Sequence, residues 1–541
     1  MKQPRVVALW SGFGAVAMVS SALVMRRPTG ERLSDLHIYY GAMRHLGAGH
    51  PLYEFVAANG GPFTYPPFAA LVLRPIAIVP EPVLRWIWLA LTCAAVAAIA
   101  AVIGRVLVRD QPERRAGIAA VACGLMISAP AQSNLRFGQV SIFIVLLALI
   151  DGAGLTPARY RGVLVGIAAA IKLTPLLFVV HFLISRQYRE AGRAIAVFVG
   201  CAALGAAVLP ADSWTFWTGT IIETSRIGNL ASLGNQSVHG MLLRVGIAPA
   251  SLPVIWAALV AIIAGVALLR ARQLVAEGRP GHAAVLVGCA TVAASPVSWT
   301  HHQVWPVLAA MLLVGTTGPA RRVAGAALLV VMTLSLGALL SPVSMRPGIQ
   351  FLFENARVLG AVAVCMTGFG GLAMTAVTAR TSTVVARRWL RAGVAAAAAA
   401  AFLAVQPLPA GADPTFKAYA LADVGNPRYF FVCRSEAECA AFATDAPVTF
   451  GTATEKTKVR VNGVVTSAVT RLEYTSAPGG APRQIPLLQA YPGPRVFSFR
   501  SANMAHGQLV AYGADGQPFA TYDEELTAAF HASTGPRPAI T

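Results

Sequence analysis

Residues 252–269 read LPVIWAALVAIIAGVALL, a run with no charged side chain. The hydrocarbon core of a bilayer takes about 20 apolar residues to cross as a helix. Runs of similar character occupy residues 6–25, 323–340 and 358–377. Several membrane-spanning helices are therefore predicted before any other feature of the chain is considered.

The composition of the whole chain agrees with these runs. Of its 541 residues, 56% are hydrophobic and only 12% are charged, and the mean hydropathy is +0.61. Soluble domains carry about 25% charged residues, so a lipid bilayer is the expected solvent. The first run follows Lys2 and Arg5; its length and the absence of a good cleavage site favour a retained signal anchor over a cleaved signal peptide.

The formal net charge of +20 raises the possibility of nucleic-acid binding. Most basic residues, however, fall in short loops between apolar runs, where the positive-inside rule places them on the cytoplasmic side. We therefore attribute the positive charge to membrane topology and expect no nucleic-acid partner. The loops assigned to the cytoplasm are residues 105–115, 159–161, 186–193, 270–279, 321–322 and 380–391.

With the amino terminus inside, these loops predict a polytopic α-helical membrane protein of about 11 to 13 spans. The carboxyl terminus would then lie outside. The higher number counts residues 162–185 as two half-helices. The other predicted spans are residues 6–25, 83–104, 116–130, 139–151, 192–209, 252–269, 282–294, 303–316, 323–340, 358–377 and 392–407.

Two apolar segments do not fit a simple crossing. Residues 63–79 are interrupted by three prolines, and residues 162–185 are broken at Lys172-Leu173-Thr174-Pro175. Irregular backbone at membrane depth survives only when it is buried in protein or lines a watery cavity. Four predicted spans also have only about 13 to 15 residues, too few to cross the bilayer. Their outward ends should stop inside the membrane plane, which predicts a polar recess that opens outward. These spans are residues 116–130, 139–151, 282–294 and 303–316.

The sequence changes character near residue 407. Charges return, Gly and Pro become frequent, and residues 459–461 and 496–499 have the alternating pattern of short strands. Residues 1–407 are thus predicted to form the membrane domain, and residues 408–541 a small extracytoplasmic α+β domain. A helix over residues 523–531 is expected to close it.

Two of the seven cysteines, Cys433 and Cys439, lie in this tail, whereas the other five lie in predicted spans. An oxidising, outward location favours a disulfide between them. A metal or redox site is the alternative, which their separation and the lack of nearby histidines disfavour.

Asp35 is the acidic residue of interest in the first outward loop. Apolar residues recur at helical spacing over residues 35–46, which predicts an interfacial helix beginning near Asp35. Asp35 or Ser34 would then cap the helix, and the same carboxylate at a watery recess could act as a general base. Glu54 and Glu223 are the other outward acidic candidates.

Several other polar residues lie within or beside apolar segments, where binding of a ligand would explain their presence. The charge of Lys172 in an apolar stretch is costly unless it faces an anion such as phosphate, although snorkelling or a carboxylate partner are alternatives. His301 and His302 lie at the entrance of a predicted span, where their imidazoles could bind phosphate or sugar. The alternative is that they are polar side chains whose hydrogen bonds are satisfied within the protein. Asn235-Gln236-Ser237, in an outward loop with two tryptophans, suits sugar binding; it is also a glycosylation sequon.

Some mechanisms have no visible site in the sequence. It contains no P-loop, no GxGxxG after a strand, no HExxH and no zinc-spaced cysteine set. We therefore expect no cofactor and no metal, and the energy for any transfer must come from an activated lipid or a gradient.

Seven motifs together resemble glycosyltransferase family 87, the GT-C type mannosyl- and arabinofuranosyltransferases that use polyprenyl-phosphate sugars. The resemblance covers roughly residues 30–320 and not the tail. The motifs are DLHIYY (35–40), PLY (51–53), FTYPPF (63–68), FGQV (137–140), IKLTP (171–175), NQS (235–237) and SPVSWTHH (295–302).

The resemblance implies an inverting single displacement at the outer face of the plasma membrane. Asp35 would deprotonate an acceptor hydroxyl, which attacks the anomeric carbon while polyprenyl phosphate leaves. Lys172 with His301 or His302 would bind the leaving phosphate. The weaker candidates for donor or acceptor contacts are Tyr65, Gln139, Asn235 and Gln236.

Mannose transfer from polyprenyl-phosphate-mannose to a lipid-linked or cell-envelope glycan is the preferred function. An arabinofuranosyl donor is a close variant, because the lipid phosphate is shared. A transporter or lipid flippase is the competing class, since broken helices and midplane charge also occur there. A further alternative makes the tail the functional module and the spans its anchor.

Overall fold

The structure is a computed structural model in which the chain divides into two units. The first comprises residues 1–227, 233–341 and 346–404, and the second residues 228–232, 342–345 and 405–541. The structure describes residues 3–28, 31–57, 61–107, 111–223, 230–248, 250–316, 318–336, 347–369, 419–422, 429–435, 438–443, 447–455, 458–466, 468–476, 480–485, 487–489, 495–501, 507–513 and 515–522.

The described part of the first unit is built from α-helices. The first nine are α1 (Gln3–Met25), α2 (Ser34–Gly47), α3 (Pro67–Leu73), α4 (Glu81–Leu107), α5 (Gln111–Ile127), α6 (Ala129–Phe137), α7 (Ser141–Gly152), α8 (Val163–Ile171) and α9 (Leu176–Ile184). The remainder are α10 (Tyr188–Val208), α11 (Pro210–Thr215), α12 (Val238–Val245), α13 (Leu252–Ala276), α14 (Pro280–Ala294), α15 (Val304–Val314), α16 (Pro319–Thr333), α17 (Pro347–Glu354) and α18 (Ala356–Thr367).

Four of these helices, α1, α4, α10 and α13, are long and apolar enough to cross a membrane. Two bent pairs, α5 with α6 and α17 with α18, raise the number to six among the described residues when each pair counts as one span. The chain is therefore a multi-pass membrane protein. The predicted span at residues 392–407 lies outside the described residues.

The helices predicted to be short are mostly short. α7, α14 and α15 have 12, 15 and 11 residues, whereas α5 begins earlier than expected and has 17. Nearly all of α15 is buried. Gly288 of α14 lets Trp305 of α15 approach so closely that a Cβ there would lie 2.0 Å from the indole. These two helices thus form the interior of the unit.

Both broken segments are confirmed. α8 ends at Ile171, and Lys172 adopts an extended conformation before α9 begins at Leu176. Residues 63–79 form α3 followed by the 3-10 helix Arg74–Ile78. The buried carboxylate of Asp151 accepts the backbone N–H groups of Gly162 and Val165 at 2.8 and 3.0 Å, which fixes the start of α8.

The interfacial helix predicted at Asp35 is α2, but its predicted cap is wrong. The N-cap residue is Leu33, in a left-handed conformation with φ 49°, and it makes no side-chain capping bond. Leu33 adopts this conformation where its N–H donates to the carbonyl of Arg136 at 2.8 Å. Ser34 and Asp35 therefore lie inside the helix, and the Asp35 carboxylate has no capping role.

The described part of the second unit consists of antiparallel strands in three sheets, ordered β1-β2-β3, β4-β5-β9-β8 and β11-β10-β6-β7. The strands are β1 (Tyr419–Ala422), β2 (Tyr429–Ser435), β3 (Glu438–Ala443), β4 (Val448–Glu455), β5 (Lys458–Val465), β6 (Arg471–Thr475), β7 (Arg483–Ile485), β8 (Leu488–Gln489), β9 (Arg495–Ser501), β10 (Gln508–Tyr512) and β11 (Pro518–Tyr522).

Both four-stranded sheets contribute to one apolar core, with Val461 and Phe497 from one and Leu472 and Leu509 from the other. The strand patterns in the sequence are confirmed, because β5 and β9 pair with Val461 opposite Phe499. The helix expected over residues 523–531 lies outside the described residues.

The strand register bears on the cysteine pair of the tail. β2 and β3 are antiparallel, with Cys433 directly opposite Cys439. Cα atoms of opposite residues lie about 4.5 to 5.5 Å apart in such a ladder, and disulfides span about 4.4 to 6.8 Å between Cα atoms. The disulfide stays a prediction, and this register supports it.

We expect the native protein to carry a Cys433–Cys439 disulfide. Mass spectrometry of protein alkylated under denaturing conditions should show the peptide containing both cysteines two mass units lighter, and unalkylated, unless reductant is added first. The five other cysteines are free and serve as internal controls that alkylate without reductant. Full alkylation of Cys433 and Cys439 without reductant would refute the disulfide.

Candidate active site

Asp35 and Gln139 meet where the start of α2 packs against the connection between α6 and α7. Gly138 ends α6 in a left-handed conformation with φ 67°. A Cβ on Gly138 would lie 2.7 Å from the Cβ of Leu36, so the approach of α2 requires glycine there. The Gln139 amide Nε2 donates a hydrogen bond to the Asp35 carboxylate.

The other end of the Gln139 amide is fixed by two hydroxyls. Its Oε1 accepts hydrogen bonds from Tyr65 at 3.1 Å and Ser141 at 3.2 Å. The Tyr65 hydroxyl also lies 3.0 Å from that of Tyr39, and Tyr53 donates to the Tyr65 carbonyl at 2.7 Å. Because Oε1 faces two donors, the amide nitrogen is held toward Asp35.

Lys172 joins this network from the break between α8 and α9. Its Nζ donates to Ser141 Oγ at 3.1 Å and lies 2.7 Å from His302 Nε2. It also lies 5.3 Å from the ring centroid of Tyr65, a cation–π distance. A continuous polar path therefore runs from Asp35 through Gln139 and Ser141 to Lys172 and His302.

The contact between Lys172 and His302 brings the Lys172 ammonium against a ring nitrogen of His302. His302 Nδ1 accepts the backbone N–H of Trp299 at 3.2 Å, so in the neutral ring Nε2 carries the proton. That N–H and the Lys172 ammonium are both donors. A shared acceptor such as a phosphate oxygen satisfies both groups with charge-assisted hydrogen bonds.

His301 is placed differently from its neighbour. Its side chain is 5% exposed and packs against Phe137 with ring centroids 5.8 Å apart. Neither ring nitrogen has a hydrogen-bond partner among the residues that the structure describes. Asn134 fixes its backbone by donating to the His301 carbonyl at 2.8 Å. A buried imidazole with two unused nitrogens is a candidate for ligand binding.

A cavity beside the polar path combines polar and apolar walls. Among its polar lining, Ser298 Oγ is a buried hydroxyl without a partner in the described residues. The polar lining comprises Ser141, Lys172, Thr174, Thr291, Ser295, Ser298 and His302, and the apolar lining includes Ile144, Val145, Phe178, Val292 and Trp305. Polar and apolar side chains thus line one cavity next to Lys172 and His302.

Asn235 and Gln236 lie beside the site, and their amides bond to backbone. Asn235 is fully buried; its Oδ1 accepts the N–H of Ser298 at 2.8 Å. Gln236 Nε2 donates to the Glu354 carbonyl at 2.7 Å, and its N–H donates to the Ser298 carbonyl at 2.8 Å. These contacts hold the Ser298 segment, and burial makes Asn235 a poor glycosylation acceptor.

Asp35 lies in α2, which is not one of the candidate membrane spans. The pKa of its carboxyl group is unusual. Burial raises its pKa from the ordinary value to about 6, although the Gln139 hydrogen bond and the positive charge of Lys172 oppose this rise. A base with such a pKa is largely ionised at neutral pH and accepts protons well there.

The sequence did not single out Ser141 and Tyr39, which complete the network. Ser141 lies two residues after Gln139, and Tyr39 lies one helical turn after Asp35. Closeness in sequence to these two candidates was the signal that could have identified them. Glu54 and Glu223, the acidic alternatives, are exposed. Within the described ranges, no group of three or more His, Cys, Asp or Glu residues could hold a metal ion.

Comparison with known proteins identifies the family. The profile of glycosyltransferase family 87 matches residues 63–296. A polyprenol-phosphate-mannose-dependent alpha-(1-2)-phosphatidylinositol mannoside mannosyltransferase of Mycobacterium tuberculosis is 31% identical over 310 residues, which are 53% of this chain and 71% of that protein. The chain belongs to glycosyltransferase family 87.

A second relative in this family is similarly close. The polyprenol-phosphate-mannose-dependent alpha-(1-2)-phosphatidylinositol pentamannoside mannosyltransferase of Mycolicibacterium smegmatis is 33% identical over 308 residues, 56% of this chain and 74% of that protein. The family resemblance seen in the motifs is thus confirmed, and the chain is a glycosyltransferase.

Gly138→Ala should damage both stability and activity. A left-handed alanine costs about 1–2 kcal/mol, and its Cβ would push Leu36, and with it Asp35, away from Gln139. We expect a lower thermal midpoint in detergent and reduced glycosyl transfer. Gly47→Ala is the matched control, because a Cβ at this end of α2 would have no atom of the described residues within 4 Å. Equal behaviour of the two variants would contradict the packing described.

Proposed function

We propose that the protein transfers mannose, with inversion, from polyprenyl-phosphate-mannose to a lipid-linked or cell-envelope glycan on the outer face of the plasma membrane. The observation that carries the proposal is the path from Asp35 to the Lys172–His302 pair. In the proposal, this path links the base to the two groups that bind the phosphate, and a single displacement requires both at one site.

In this mechanism Asp35 is the general base. Gln139 holds Oδ2, while Oδ1 has only a long 3.5 Å contact from Ser34 among the contacts described for it. Oδ1 is therefore positioned to accept the proton of an acceptor hydroxyl as that oxygen attacks the anomeric carbon. Tyr65 acts on the same step by orienting Gln139.

Lys172 and His302 bind the phosphate of the donor. As the bond to the anomeric carbon breaks, negative charge grows on that phosphate, and fixed donors stabilise it. The apolar wall of the cavity would receive the first isoprene units of the lipid. His301, with two unused nitrogens, would bind a sugar hydroxyl or a further phosphate oxygen, and Asn235 and Gln236 would hold the segment that carries it.

The alternatives have less support. The relatives named above use polyprenol-phosphate-mannose, which favours mannose over arabinofuranose. A transporter would use an acidic group deep in the bundle. The buried carboxylate of Asp151 instead binds the N–H groups at the start of α8.

The proposed topology places the arginine-rich loops in the cytoplasm and Asp35 on the opposite side. The bilayer is then crossed about 11 to 13 times, with short helices such as α7, α14 and α15 ending at the recess. Residues 408–541 form an extracytoplasmic domain in this arrangement, which agrees with a Cys433–Cys439 disulfide.

Asp35→Asn tests the mechanism without a change in side-chain size. The variant cannot accept the proton, and loss of a general base typically lowers the rate by about 10²- to 10⁴-fold. The measurement is transfer of radiolabelled mannose from polyprenyl-phosphate-mannose to endogenous acceptors by membranes that contain equal amounts of each protein.

Asp212→Asn is the matched control. Its carboxylate accepts the N–H of Leu52 at 2.8 Å and has no described contact with the polar path, so transfer should stay close to that of the unchanged protein. Full activity of Asp35→Asn would remove the assigned base. Inactivity of the unchanged protein with this donor would remove the proposed donor itself.

A further inference from the structure

Arg357 is a buried arginine that the mechanism above does not use. It lies in the first turn of α18 and is 6% exposed. Its Nη1 donates to Thr300 Oγ1 at 3.1 Å, its Nη2 to Ser335 Oγ at 2.9 Å, and its Nε to the Val331 carbonyl at 3.3 Å. All three acceptors are uncharged, and no carboxylate in the described ranges pairs with it.

This placement is energetically unfavourable by itself. A buried charge without a counter-ion carries a desolvation penalty that neutral acceptors offset only in part. The first turn of a helix also carries the positive end of its dipole, which disfavours a cation. Ionisable groups retained inside a membrane bundle despite such costs are functional candidates by default.

The contact with Thr300 connects Arg357 to the polar path. Thr300 begins the 3-10 turn Thr300–His302, whose last residue reaches Lys172. Arg357 therefore fixes the first residue of the turn that presents His302 to Lys172.

The turn between α17 and α18 also contacts residues that hold Ser298, at the start of the Ser298–His302 segment. Gln236 receives the N–H of Val358 at 3.3 Å and donates to the Glu354 carbonyl, while its own N–H binds Ser298. Arg244 donates to Asn355 Oδ1 at 2.6 and 3.0 Å. Residues 354–358 thus hold the Ser298–His302 segment at Ser298, through Gln236, and at Thr300, through Arg357, although they lie beyond the matched residues 63–296.

We propose that Arg357 is a positioning residue for the transfer reaction. Acting through Thr300, it sets His302 against Lys172, and its uncompensated charge strengthens the positive potential that attracts the phosphate of the lipid ligand. This inference rests on the proposed function, since it assumes that Lys172 and His302 bind phosphate.

Binding of polyprenyl phosphate to the purified full-length protein tests the inference without requiring transfer. Arg357→Gln and Thr300→Val should each raise the Kd for polyprenyl phosphate about tenfold, because misplacement of a binding group by about 1 Å has effects of this order or larger. The double variant should be no weaker than the weaker single variant, because both changes break one connection. Arg357→Lys should recover part of the affinity.

Kinetics separate positioning from general damage to the fold. The KM for polyprenyl-phosphate-mannose should rise with the Kd, while the KM for the acceptor and the thermal midpoint should stay close to those of the unchanged protein. Arg270→Gln is the matched control: this partly buried arginine lies near Gly368, at the opposite end of α18, and the variant should bind polyprenyl phosphate normally.

The outcomes distinguish this inference from the proposed function. An unchanged Kd in Arg357→Gln, equal weakening in Arg270→Gln, or multiplicative effects in the double variant would overturn the inference. Binding that depends on Arg357 in a protein that transfers no mannose would support the inference and reject the reaction. If the unchanged protein fails to bind polyprenyl phosphate, both proposals are wrong.

Discussion

The hydrogen bond from Gln139 to Asp35 is the interaction on which the site depends. It joins the interfacial helix α2 to the connection between α6 and α7, and it exists because Gly138 adopts a left-handed conformation and leaves room for Leu36. Gln139 in turn is oriented by hydroxyl groups on its other end. A single amide therefore connects the candidate base to the residues that lead toward Lys172 and His302.

The surrounding helices make this polar network possible in an apolar bundle. α8 and α9 stop short of each other so that Lys172 can enter from the break, and the turn before α15 brings His302 to meet it. Irregular backbone and buried polar groups are tolerated at such depth only where partners or a cavity satisfy them. The break between α8 and α9 is therefore a requirement of the site.

The sequence predicted much of this arrangement because the physical signals were local. Long apolar runs, prolines in apolar segments and the isolated charge of Lys172 each pointed to a feature that the structure contains. Contacts between distant segments carried no such signal: the bond between Leu33 and Arg136 that displaced the predicted cap, the link from Lys172 to Ser141, and the path from Arg357 to Thr300. Asp35 stood out as an acidic residue of the first outward loop, and Gln139 belonged to a family motif, but their pairing required the fold.

The pH dependence of transfer by the unchanged protein and by Gln139→Leu tests the central role of this amide most directly. If Asp35 is the base, kcat/KM of the unchanged protein should fall as pH decreases through about 6, where the carboxylate becomes protonated. Because the amide hydrogen bond lowers the pKa of Asp35, its removal should move that midpoint to higher pH. The same midpoint in both proteins, or no loss of activity on acidification, would contradict the account.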